Sequence, residues 1–499
     1  MNVPSPETGS TTEASGSVTT ILWMLLVAVA FLMVINRLVT QSFFFDGNIY
    51  ASIARNMAEG IGSAWSPHFS KTLFPVFAEH PPLMMWLEAL GFLIFGDTIV
   101  VEKVFSLFTF LAAGLLLFRI WISLHEGDVE MQSAVPIALL MTLIAGRLSW
   151  AFGNGMLENM LMVFTSAAVL FVITAYDQSQ RKSALKRTGL IVCAGMAVGL
   201  ALLTKGPVGL FPLAAPGLYW LLFRRPSFWV AVLDSLILLT VILLFCLALW
   251  SFEASREATQ RYLEAQLLPS LAGERGQGSG GWAALRTLLR VNAYPLLITA
   301  CLFAAAYRWG ALHADSPLRL IRYRRAAYLF VLGCSASLPL LVSPRVSSFY
   351  FNPSIAYFAA GLSTCCAPIL FEWLGKIGAR ARAGLHAAAI CLLVISLITV
   401  GWNFGRPGRD EQTIQNATKI AAAMCREGAS CGDTVLACGS VSEDWALHAY
   451  MQRYYKMSIE RASTTAASYM VADDSCQSDP RYKDTGLSIV PYRLLQLRD

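Results

Sequence analysis

Charge is what this chain of 499 residues has least of: Asp, Glu, Lys and Arg together make 14% of it. A soluble chain of that length carries nearly twice as much. No basic stripe occurs outside short loops, which excludes nucleic acid as a partner. The first long apolar run has no small-residue cleavage site after it and is too long for a signal peptide, so it is expected to stay as a span. No internal repeat is visible either. What is there is apolar: 56% hydrophobic residues, 13 Trp and 28 Phe, with a mean hydropathy of +0.55. The net charge of +6 matters less than where its cations fall, because Lys and Arg mark the loops that stay cytoplasmic.

These numbers predict a polytopic, all-α membrane protein. A span needs ~20 mostly apolar residues, and eleven runs qualify: Thr20–Thr40, Thr98–Ser123, Ala134–Trp150, Met156–Tyr176, Gly189–Thr204, Pro207–Phe223, Val230–Trp250, Arg290–Tyr307, Ala326–Leu341, Phe349–Leu370 and Leu385–Trp402. Residues 1–18 read as a disordered cytoplasmic tail, being rich in Ser, Thr, Pro and Gly. With that tail inside, the loops holding Arg181, Lys182, Lys186 and Arg187, then Arg224 and Arg225, then Arg319, Arg322, Arg324 and Arg325, then Lys376, Arg380 and Arg382 are all cytoplasmic. The acidic loop His125–Glu130 is the exception. Residues 41–82, 251–289 and 403–499 fall outside, so the transmembrane domain is 19–402.

The last hundred residues change character. Glu411–Glu427 has the period of an amphipathic helix, Asp433–Cys438 reads as a strand, and Ser442–Arg453 as a second helix. Ser468–Ala472 and Leu487–Leu497 read as further strands, giving a small extracytoplasmic α/β domain. Four cysteines lie there, Cys425, Cys431, Cys438 and Cys476; an oxidising compartment favours disulfides among them, with three possible pairings, and buried thiols are the alternative.

Most chemistry is concentrated in the first outer segment, FFFDGNIYASIARNMAEG followed later by AEHPPLMMWLEALGFLIFG. Asp46 opens a helical run in which Asp46, Tyr50 and Met57 share a face. Glu79 and His80 precede Pro81-Pro82, hence extended backbone at a helix start. The helix after them, ~14 residues, is too short to span and is expected at the interface. Two acids and a histidine are thereby delivered to the outer membrane surface.

The strings DGNIY, EHPPLMMWLEALGFLIFG, NGMLENML, LLTKGPVGLFPL and SPRVSSFYFNPS, in that order from about Phe45 to Pro353, resemble the protein O-mannosyltransferase superfamily, which includes bacterial aminoarabinose lipid A transferases. The resemblance implies a GT-C fold and a polyprenyl-phosphate-linked sugar donor used on the outer face. Three departures stand out. The family's Asp-Glu pair is Asp46-Gly47 here, its Lys before Pro-Pro is His80, and YLEAQLLPSLAGERGQGSGGW lacks the His and Arg-Phe often found there. In some relatives that His helps to hold a divalent metal beside the acid before Pro-Pro. No essential metal or other cofactor is therefore expected, and a divalent ion would have Glu79, His80 and Glu264 to bind.

The chemistry also follows from the residues themselves. Inverting glycosyl transfer needs a carboxylate to take the acceptor hydroxyl's proton and cations to hold the departing phosphate. Asp46 and Glu158 are the candidate bases, with Glu79 beside them; an acid at a span is costly and marks function. Lys205, Arg147 and Arg345 fall on the outer side, against the topology rule, and with His80 are the candidate donor-phosphate residues. Lys205 also precedes a Gly-Pro turn that opens a helix and aims backbone N–H groups outward. Tyr50, Tyr350 and Asn154 are assigned to the substrate pocket. Each has a plainer alternative: a helix cap for Asp46, electrostatic support of a helix start for Glu79, snorkelling for Lys205 and Arg147, a hydrogen-bonded surface histidine for His80, and interfacial aromatics for Tyr50 and Tyr350.

The expectation is thus a glycosyltransferase in a bacterial cytoplasmic membrane, facing the periplasmic or extracellular side. It moves a sugar from a polyprenyl-phosphate (undecaprenyl-phosphate) donor to a lipid, glycan or protein acceptor, with membrane lipids around it. A transporter or flippase of a lipid-linked substrate is the alternative. Transporters carry repeats and midplane polar residues, whereas the ionisable residues here gather at one face.

Overall fold

The computed structural model describes residues 9–177, 183–274, 280–308, 318–426, 434–461, 467–476 and 479–498. The expected cations Arg181 and Lys182, the cysteine Cys431 and the first residues of the tail, 1–8, lie outside these. The helix of the first span starts at Gly9, inside the stretch expected to be a disordered tail; once a nucleus exists, each added residue brings one hydrogen bond.

The membrane part is a bundle of helices, joined to a juxtamembrane layer on one side. In chain order they are α1 (Gly9–Ala30, carried on to Leu38), α2 (Phe45–Ala58), α3 (Leu83–Phe95), α4 (Val100–Leu124), α5 (Val135–Ile144), α6 (Arg147–Phe152), α7 (Leu157–Tyr176) and α8 (Ala184–Lys205). There follow α9 (Ala215–Phe223), α10 (Phe228–Ser251), α11 (Glu253–Tyr262), α12 (Trp282–Val291), α13 (Ala293–Arg308), α14 (Arg319–Leu341), α15 (Asn352–Lys376) and α16 (Ala379–Asn403). Helices α2 and α3 are the two read from the first outer segment.

Among the described residues seven helices are long and apolar enough to cross a membrane, or eight if the bent pair α12–α13 is one span. The eleven expected runs all lie on helices, and four of them depart from a separate straight span. The third is broken at Gly146, whose φ of +66° ends one helix and starts another. The ten residues of α5 rise only ~15 Å, half of the hydrocarbon thickness. The eighth bends by 63° between Val291 and Ala293. The fifth and sixth form one continuous helical stretch, Ala184–Phe223, but the chain reverses inside it. A Cβ on Gly209 would lie 2.8 Å from the Ala201 carbonyl carbon, so the segment after Gly206 packs back along α8.

Close approach between spans depends on small residues, since lipid offers no hydrophobic drive. Gly195 and Gly199, one turn apart on α8, let α10 in: a Cβ at either would stand 2.7 Å from Val241 or Phe245. The acidic loop that broke the charge rule has a partner. Arg322 of α14 binds Asp128 at 2.7 Å and Glu130 at 2.7 Å, and Arg325 reaches Asp128 at 3.5 Å. The acids at 128 and 130 are there to neutralise part of a basic cluster on the same face.

After α16 come α17 (Glu411–Arg426) and α18 (Trp445–Tyr455). A mixed five-stranded sheet completes the domain: β1 (Thr434–Cys438), β2 (Ser458–Arg461), β3 (Tyr469–Ala472), β4 (Tyr482–Ile489) and β5 (Tyr492–Leu497). The order is β2-β1-β3-β5-β4. β1 runs parallel to β2 (Thr434 opposite Ser458) and to β3 (Leu436 opposite Met470), and β5 is antiparallel to both β3 and β4. Ile414, Ala417, Ile420 and Met424 bury one stripe of α17 against Val435, Ala437, Val471 and Leu494. β2 was not expected, and the expected strand Leu487–Leu497 is a hairpin turning at Val490-Pro491; its apolar residues belong to two strands. Cys438 and Cys476 form a disulfide, their Cα atoms 5.9 Å apart.

Candidate active site

Helix α2 brings its first turn to the mouth of the bundle. Its N-cap is Phe44, in extended backbone and without a side-chain cap, so Asp46 lies inside the first turn and is not the cap. The Phe44 N–H donates to Asn154 Oδ1 (2.9 Å), and Asn154 Nδ2 donates to the Trp150 carbonyl (2.7 Å). Asn154, expected to line the substrate pocket, therefore uses its amide to hold the start of α2. Gly47 follows Asp46 because a Cβ there would collide with the Asn154 carbonyl oxygen and touch the Phe43 ring at 3.0 Å. The family's second acid has no room at this position.

Glu158, in the first turn of α7, and Lys205, the last residue of α8, form an ion pair between side chains 1% and 9% exposed. Glu158 Oε2 is buried with no hydrogen-bond partner. Lys205 thus does not snorkel to the interface; its Nζ lies 4.5 Å from the Tyr350 ring centroid and 5.8 Å from that of Phe349. Tyr50 is buried and excluded as an interfacial aromatic; its ring meets His80 at 6.0 Å and Phe77 at 6.4 Å. Burial and the nearby Asp46, Glu158, Tyr350 and Glu79 push its hydroxyl pKa well up, so the phenol stays protonated. Burial, with the Glu158 carboxylate next, pushes the Asp46 carboxyl up to about 7; Lys205 opposes the rise and Glu79 adds to it. Asp46, Tyr50, Glu79, Glu158, Lys205 and Tyr350 are therefore brought together.

Arg147 is separated from them by an aromatic bridge. Its guanidinium lies 4.8 Å from the Trp150 ring, and Trp150 stacks on Phe349 at 6.1 Å. Arg345 is exposed on the turn after α14. Among the described residues no three His, Cys, Asp or Glu side chains are close enough to hold a metal ion, so Glu79, His80 and Glu264 do not assemble into one.

An apolar pocket of about 220 Å³ opens beside this group, with His80, Trp65, Phe77, Phe245, Arg261 and Tyr262 in its wall. Gly206 is needed here twice over: its φ is +72°, and a Cβ would run into the Tyr262 hydroxyl. Arg261, which the sequence reading missed, brings a cation to the pocket and donates to Ser66 Oγ at 3.0 Å. Sidedness, the signal used for Lys205, would have found it, since residues 251–289 were placed outside.

Residues 79–252 match the family model described as Dolichyl-phosphate-mannose-protein mannosyltransferase. The chain is 25% identical over 401 residues to the undecaprenyl phosphate-alpha-4-amino-4-deoxy-L-arabinose arabinosyl transferase 1 of Sodalis glossinidius (strain morsitans), a match covering 76% of this chain and 65% of that protein. Its fold is similar to that of ArnT from Cupriavidus metallidurans bound to undecaprenyl phosphate, with a TM-score of 0.58, 16% identity and coverage of 97% and 98% of the two chains. The apo form of the same protein gives a TM-score of 0.59 at 15% identity, with the same coverage. The Archaeoglobus fulgidus oligosaccharyltransferase in its apo form gives 0.53 at 11% identity, covering 89% of this chain and 64% of that one. The resemblance read from the sequence strings holds: the chain is a multi-pass membrane protein of GT-C fold whose residues 79–252 match the mannosyltransferase family model.

Proposed function

We propose that the chain is an inverting glycosyltransferase that moves a sugar from a polyprenyl-phosphate donor, undecaprenyl phosphate being the carrier, to an acceptor hydroxyl on a lipid, glycan or protein. The observation that carries this is the meeting of the Asp46 carboxyl, poised near neutrality, with the Glu158–Lys205 pair beside an apolar pocket. The names of the relatives, an undecaprenyl phosphate arabinosyl transferase and an ArnT bound to undecaprenyl phosphate, point to the same donor.

Asp46 takes the proton of the acceptor hydroxyl as its oxygen bonds to the anomeric carbon. The bond from that carbon to the phosphate oxygen breaks on the opposite face, and the polyprenyl phosphate leaves with the electron pair. Lys205, turning from Glu158 to the phosphate, offsets the negative charge that builds there, and Arg261 adds a second cation at the pocket. The isoprenoid chain lies in the apolar pocket or in the lipid beside it. The site and the C-terminal domain face the periplasm or the exterior: Lys186 and Arg187 start α8 and Lys205 ends it, ~30 Å away along the helix axis.

The test is transfer from synthetic undecaprenyl-phosphate sugars in proteoliposomes, with mass spectrometry of envelope lipids and glycans from a deletion strain to identify the product. Donor-dependent transfer that disappears with Asp46→Asn supports the assignment. An unchanged envelope together with flip of the donor across the bilayer would sink it in favour of a transporter.

A further inference from the structure

The C-terminal domain touches the active-site helix at both of its ends. Tyr450, buried on α18, accepts the N–H of Phe43 at 2.9 Å, three residues before Asp46, and its hydroxyl donates to Asp410 at 2.8 Å. With Asn154 on the Phe44 N–H, the two backbone donors that lead into α2 are both held by side chains from elsewhere. At the far end Arg55, fully buried, donates to the carbonyls of Gln452 (3.2 Å) and Arg453 (3.0 Å) in the last turn of α18, the first of which also accepts the Lys456 N–H. Arg453 in turn forks onto Glu102 at 3.0 and 2.9 Å and reaches Asp97 at 2.6 Å, and Asp97 lies 3.7 Å from Arg55. Between the two ends Ala449 is packed into the same apolar cluster as Ile49, Tyr50 and Ile53.

A domain needed only for stability has no reason to satisfy the start of one particular helix at one end and its last turn at the other. We infer that α18 is a clamp that fixes the position of α2 in the site, with Tyr450 as a positioning residue acting through the Phe43 N–H. This rests on Asp46 being the base proposed above. A buried N–H left without its acceptor is costly, so without Tyr450's hydroxyl the start of α2 moves to find another. A displacement of ~1 Å at a reacting group is enough for a hundredfold loss.

Tyr450→Phe removes the hydroxyl and keeps the packed ring; Tyr455→Phe removes a hydroxyl of the same helix that reaches Thr418, at 2.8 Å. Tyr450→Phe is expected to lower kcat roughly ten- to a hundredfold, with KM for an undecaprenyl-phosphate sugar within about twofold. The acid limb of its pH profile should also move, since the burial of Asp46, followed by its distances from Glu158 and Lys205, sets that limb. Amide hydrogen exchange over residues 43–58 should speed up in the same variant, and Tyr455→Phe should change none of these. A fall in kcat without faster exchange, faster exchange without a fall in kcat, or equal effects from the two variants overturns the clamp. Full turnover by Asp46→Asn overturns the choice of base instead, and the exchange of residues 43–58 still decides whether α18 holds α2.

Discussion

Lys205 has two possible duties, to neutralise Glu158 and to hold the donor phosphate, and a double-mutant cycle separates them. The pair is 9% and 1% exposed. Removing one partner of such a pair costs about 3–5 kcal/mol, because a charge is left buried alone. Lys205→Met should therefore lose about that much stability, the more so because Glu158 Oε2 already has no hydrogen-bond partner. Removing both charges with Lys205→Met and Glu158→Gln together should restore most of it, as replacing a whole buried pair is often close to neutral. Turnover behaves differently. If Lys205 binds phosphate, its loss costs about 1.5–3 kcal/mol of charge-assisted hydrogen bonding, roughly ten- to a hundredfold in kcat/KM, and the second substitution cannot return it. The assay is thermal unfolding in detergent beside transfer from an undecaprenyl-phosphate sugar, over all four corners of the cycle. A double variant that recovers turnover along with stability shows that Lys205 serves only Glu158, and the phosphate assignment is then wrong.

Asp46→Asn should lower transfer on the order of a hundredfold or more, and wild-type kcat/KM should rise with pH through about 7 as the carboxyl ionises. Because its pKa is raised from the ordinary 3.8, the wild type loses stability as pH climbs through that window, so Asp46→Asn should gain in melting temperature over the wild type above pH 7 and not in acid; an unchanged difference across pH refutes the shift. Gly47→Ala should cost about 1–3 kcal/mol from overpacking against the Asn154 carbonyl, seen as a lower unfolding midpoint. Cysteine labelling in intact cells should reach Ser63→Cys from outside and Ser183→Cys only after permeabilisation; both on one side would refute the orientation.

Much of this was legible in the sequence because the membrane imposes simple rules. Apolar runs marked the spans, Pro81-Pro82 marked the start of α3, and the outer cations drew attention to Lys205, which the structure pairs with Glu158 across 47 residues. What could not be read is pairing over long separations. Arg55 and Arg453 are unremarkable as letters, yet each is completed by partners more than 350 residues away. The break at Gly146 was hidden because apolar residues precede it and resume after Arg147, and hydropathy does not sense φ. Asn154 was read as a pocket residue, and the hydrogen bonds its amide makes are to backbone, at Phe44 and Trp150.

The seam beside α2 has a consequence for biogenesis. Gln41 and Ser42 donate their N–H groups to the carbonyls of Arg406 (2.8 Å) and Pro407 (3.0 Å), and Ser42 is also hydrogen-bonded by its hydroxyl to Pro407, 365 residues later in the chain. At ~5–20 residues per second of synthesis, the partner for that early segment emerges roughly 20–70 s after it. Over that interval the Gln41 and Ser42 N–H groups, at the membrane surface, are without these acceptors. The contacts at Arg406 and Pro407 are consequently among the last this polypeptide makes, and a chain truncated before Arg406 lacks the hydrogen bonds that hold the lead into α2.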